Sequence, residues 1–116
     1  MRFARWSFAL AAVYGLVATL GLYRTPLSAA TLWLYGFAGA AAATQLLYVA
    51  IAVDPRRLRP AILIGVASKL SFAVPVLMLH ARGATTNALF AAALVDLALA
   101  ALFAWHWWRL GRGGLR

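Results

Sequence analysis

Four apolar runs, each about twenty residues long and separated by short polar or proline-bearing links, leave this chain few ways to fold. Hydrocarbon offers the backbone no water. A segment crossing it must therefore satisfy its own N–H and C=O groups, as a helix does. Runs of this length without period-two alternation point to helices. The spans are expected at about residues 6–23, 30–53, 60–80 and 87–108. Together they predict an all-α, integral-membrane four-helix up-and-down bundle, a single transmembrane domain over residues 1–116.

The links agree with that division. Arg24-Thr25-Pro26 stops the first run, and Pro55 stops the second after Asp54. Pro60 suits the first turn of the third helix, and Thr85 and Thr86 offer caps for the fourth. Pro75 lies inside the third run, where it removes one backbone donor and is expected to kink the helix. Arg2 and Arg5 before the first run have the look of a signal peptide, but the run to Tyr23 is longer than a signal core, so a retained helix is expected. Gly111 to Gly114 after the last run suggests a flexible tail.

Charge sets an orientation. Arg2, Arg5, Arg56, Arg57, Arg59, Arg109, Arg112 and Arg116 fall on one side of the expected bundle, and only Arg24 and Arg82 on the other. By the positive-inside rule both termini are expected in the cytoplasm. This topology accounts for the net charge of +9, so no nucleic-acid partner is expected, and the lipid bilayer is the partner the chain requires. Asp54 is expected to balance its neighbouring arginines, and the Trp105 to Trp108 cluster, His106 included, to sit at the membrane interface.

The polar residues inside the spans carry the functional question. Lys69 lies nine positions after Pro60, or roughly 13–14 Å deep at 1.5 Å per residue. Gln45 is nine positions before Asp54, Tyr14 eight after Trp6, and Asp96 at a comparable depth below the tryptophan cluster. A lysine at mid-bilayer costs about 2.5–3.5 kcal/mol on insertion scales, so it needs a partner or a purpose. A short link makes the third and fourth helices antiparallel neighbours, which predicts a Lys69–Asp96 ion pair. Helical spacing adds Ser68 beside Lys69 and Tyr48 beside Gln45, giving a candidate ligand or proton path of Lys69, Asp96, Gln45, Tyr14, Ser68 and Tyr48. The same residues could instead only pin helix register.

Other chemistry has no residues to support it. The chain has no cysteine and only two carboxylates, and His80 and His106 belong near opposite surfaces, so no metal, haem or other cofactor is expected. An enzyme acting on lipid or quinone ranks third, for want of a catalytic set. Small residues at four-residue spacing, Gly36/Ala40 and Gly39/Ala43, offer a packing face for a homodimer or a membrane-complex partner, the basis of an alternative reading as an accessory or assembly subunit.

The run Tyr48 to Pro60 with its Asp54-Pro55-Arg56 turn, followed by Lys69 and Asp96 in later spans, resembles the DoxX-like group of small bacterial four-helix membrane proteins. That resemblance implies a bacterial inner-membrane location and association with a quinone-linked complex, although no redox residue is present. Length and span number are also similar to the small multidrug resistance transporters. Their essential first-helix glutamate has no counterpart here, and the arginine bias opposes a dual topology.

Overall fold

The computed structural model describes residues 2–113. It contains four long helices, α1 (Arg2–Leu20), α2 (Leu32–Val53), α3 (Arg59–Ala81) and α4 (Asn87–Gly113), and no strand among the described residues. All four are long and apolar enough to cross a membrane, so the protein is all-α and multi-pass. The chain divides into two compact units that part between Leu58 and Arg59. Each unit is a helical hairpin.

In the first hairpin the facing residues run in opposite directions along the chain. Phe8 meets Tyr48, with ring centroids 6.3 Å apart, and Gly15 faces Gln45. Alanines and glycine at Ala4, Ala11, Ala12 and Gly15 form the buried stripe of α1, and small side chains there let the α2 backbone come close. Helix α1 tightens into a 3-10 turn over Gly21–Arg24 before the extended residue Thr25. The link that follows is knotted by side chains: Thr31 Oγ1 donates to Pro26 O at 2.8 Å, and Tyr35 Oη donates to Thr25 O at 2.8 Å. Tyr23 and Tyr35 meet edge to face at 5.1 Å. This turn holds residues 28–31 out of the helix, which is why α2 starts at Leu32 and not near Ala30.

At the other end of α2, Asp54 Oδ1 accepts the Arg57 backbone N–H at 3.3 Å, and Asp54 O accepts from Leu58 N. The expected counter-ion of the arginines is thus engaged by the backbone of its own turn.

The second hairpin is also antiparallel. Lys69 faces Asp96, and His80 stacks on Phe90 with centroids 3.7 Å apart. Helix α3 runs unbroken through Pro75. It ends in a Schellman motif: Ala84 N donates to Leu79 O and Gly83 N to His80 O, both at 2.9 Å, with Gly83 at φ +69°. Thr86 then caps α4 by accepting the Leu89 N–H at 3.2 Å. Ala73, Val76 and Ala93 form the apolar core of this hairpin, with Phe72 and Leu97 packed against it.

One expectation about α4 needs correction. The helix does not stop at Trp108 but continues to Gly113, so Gly111 is helical and only Gly114 of the expected tail lies outside the described residues, as does Arg116. Arg109 sits over Trp105 at 5.2 Å and Arg112 over Trp108 at 4.9 Å, and these i,i+4 contacts reward the extra turn while placing cations at the helix C-terminus. His106 is 3% exposed, because it falls on the buried stripe that also carries Ala100, Phe103 and Leu110.

The Schellman glycine makes a direct test. Gly83→Ala forces a left-handed conformation on an L-residue and should lower stability by about 1–2 kcal/mol. Gly36→Ala, at an open helical position, should be neutral or stabilising. Thermal unfolding in detergent micelles, followed by circular dichroism, compares the two; equal shifts would contradict the assignment of the turn.

Candidate functional site

The α3–α4 hairpin buries an ion pair in mid-span. Lys69 sits ten residues after the start of α3 and twelve before its end, so about 15 Å of helix lies on its shorter side. Its place on the α3 stripe Ile62, Gly65, Lys69, Ala73, Val76 is dictated by three- and four-residue spacing, which aims the side chain into the hairpin instead of toward lipid. Asp96 lies on α4 between the buried Ala93 and Ala100. Lys69 Nζ donates to Asp96 Oδ1 at 3.2 Å, and the side chains are 5% and 13% exposed. The contact is one-sided. The hydrogen bond goes to Oδ1 and not to Oδ2.

The small side chains around the pair explain how it fits. Ala73 and Ala93 are both fully buried in the adjacent apolar core, and larger residues there would close the space that the Lys69 stem needs. Ser68, one position before Lys69, is half-buried.

Gln45 and Tyr48 belong to the α1–α2 hairpin. Gln45 is 4% exposed; its Nε2 donates to Ala41 O at 3.0 Å, while its Oε1 is buried with no hydrogen-bond partner among the described residues. The amide fills the space where a Cβ at position 15 would stand, so Gly15 is the notch that admits it. Tyr48 is fully buried against Phe8. Tyr14 is 37% exposed on α1, one position off the buried stripe. Of the expected set, the structure therefore joins Lys69 to Asp96 within one hairpin, and seats Gln45 against Gly15 within the other.

A second constellation was not legible in the sequence. The Arg59 guanidinium lies over the Trp107 ring, 4.3 Å from its centroid, and its Nε donates to Trp107 O at 2.7 Å. It crosses Gly111 where a Cβ would otherwise be. The available signal was the four-residue interval between Trp107 and Gly111, which puts a flat ring and a bare backbone on one face. Arg59 read from sequence as one more loop arginine.

No group of three or more His, Asp or Glu side chains among the described residues could hold a metal ion. What the arrangement can do is exchange partners: an ammonium that donates, a carboxylate with an open oxygen, and an apolar surround that makes either charge costly alone.

The fold and site define the class, a multi-pass all-α membrane protein with a buried ion pair in one hairpin. Neither a protein-family model nor a curated protein nor a solved structure matches the chain.

Two notches can be tested by double-mutant cycles. Gly15→Ala should destabilise by about 1–3 kcal/mol, as overpacking does, and much of that should vanish in a Gln45→Ala background. Arg59→Ala and Gly111→Ala should each lower the midpoint of thermal unfolding, with the double variant little worse than Arg59→Ala alone. Strict additivity in either cycle would show that the residues are not coupled.

Proposed function

We propose that the Lys69–Asp96 pair is the binding centre of a small bacterial inner-membrane protein that takes up a small anionic or amphipathic ligand, or protons, with both termini in the cytoplasm. The observation that carries this reading is the one-sided contact. Lys69 Nζ donates to Oδ1 and not to Oδ2, and the carboxylate is 13% exposed. A lysine ammonium acts as a point charge and not as a two-pronged fork, so Oδ2 stays open to a proton or a second donor.

The chemistry follows from charge balance. A proton arriving on Oδ2 neutralises Asp96 and releases the Lys69 ammonium from its counter-ion. The ammonium then attracts an anion in low-dielectric surroundings, where a single charge is strongly unfavourable alone. Loss of that proton restores the ion pair and expels the anion. Proton and anion would thus move together.

A second reading, that of an accessory subunit, has its own observation. Gly36 faces open space, and Ala40 and Ala43 are exposed on the same side of α2, a small-residue face suited to another helix. A gentle-detergent pull-down that recovers one recurrent membrane partner, lost on Gly36→Leu, would favour it.

The test of the first reading uses liposomes with trapped pyranine and an imposed pH gradient. Lys69→Met or Asp96→Asn leaves one charge or amide poorly matched, with an expected loss of about 2.5–3.5 kcal/mol for the unpaired lysine. The double variant Lys69→Met/Asp96→Leu should regain stability because both charges are gone. Wild type should pass protons above the protein-free background, and the stable double variant should not. Flux that survives in the double variant would leave the pair as a register pin.

A further inference from the structure

A groove of about 530 Å³ runs along the first hairpin between α1 and the C-terminal part of α2. Its deepest residue is Ala12, 1% exposed, and its rims include the exposed Trp6, Val13 and Val53. Arg2 and Arg5 stand at one end. From Arg2 to Leu16 the groove follows fourteen residues of helix, about 21 Å, which is half the thickness of a bilayer counted with its headgroup region. Its volume lies within the usual range for small-molecule pockets, about 300–1,000 Å³.

The charge at its mouth has no internal answer. Arg2 and Arg5 are three apart on one helix face, and among the described residues neither has a carboxylate partner. The chain has two carboxylates; Asp96 is held by Lys69, and Asp54 accepts a backbone N–H in its own turn. Nor do cations in the first turn help α1, since the helix macrodipole disfavours them there. An anion at headgroup level would neutralise both arginines, and Trp6, at that level beside them, suits the interface.

We propose that this groove is a binding site for one anionic phospholipid, its phosphate between Arg2 and Arg5 and one acyl chain along the alanine-floored groove. Charge complementarity and the match of groove length to one leaflet select this occupant over a second copy of the chain, which would bring the same arginines to the same surface.

Native mass spectrometry of the full chain, released from micelles holding equal amounts of phosphatidylglycerol and phosphatidylcholine, tests it. Wild type should carry one phosphatidylglycerol at roughly tenfold higher occupancy than phosphatidylcholine. Arg2→Gln/Arg5→Gln should bring the two lipids level, and Arg24→Gln should change nothing. Ala52→Phe, which fills the groove and keeps both arginines, should remove the adduct, and it decides the matter should the double variant not fold. Equal occupancy of the two lipids in wild type, an adduct that survives Ala52→Phe, or a lipid-free dimer would each overturn the proposal.

Discussion

Inside hydrocarbon every polar group must find its partner within protein, and this constraint shapes the chain at every level. The backbone meets it by forming four helices. The hydroxyls meet it locally: Ser7, Thr19, Thr44 and Ser71 each donate to the carbonyl four residues earlier, at 2.7–3.0 Å. Gln45, Lys69 and Asp96 are not satisfied so simply, and the buried Thr85 Oγ1 before α4 has no hydrogen-bond partner among the described residues. Gln45 bonds Ala41 with its amide nitrogen but leaves its oxygen over, and Lys69 and Asp96 carry full charges that only an opposite charge can balance.

That difference separates packing polarity from chemical polarity. A back-bonded serine is inert. An ion pair held through one oxygen is a balance between two charged states and one neutral state, and whatever adds a proton or an anion shifts it. The proposed function rests on this exchange of partners, and needs no residue beyond those in the second hairpin.

The helix ends obey a different rule, because there water and headgroups return. Three arginines are laid on tryptophan rings at the end of α4, and Arg59 adds a hydrogen bond to the Trp107 carbonyl across Gly111. Those cations are engaged by aromatic faces. Arg2 and Arg5 have no such ring contact among the described residues, and the lipid site proposed on the first hairpin would supply their counter-charge. A single arginine count gives topology, but the local partners decide what each arginine does.

The number of spans, their helical form, the links at Pro26 and Pro55, the Thr86 cap and the Lys69–Asp96 pairing were all legible in the sequence, because they follow from run length, proline and capping chemistry and the short connection between antiparallel neighbours. Position along each helix was legible too, since helix rise is constant. What that position could not give was azimuth to within one residue and the reach of long side chains. Tertiary structure alone decided that Gly15 is hollowed for Gln45 and Gly111 for Arg59, that His106 turns inward, and that the lysine at the centre of α3 touches its aspartate through one oxygen and not two. Those outcomes depend on distances of an ångström or two between facing helices, a scale at which packing decides and sequence pattern is silent.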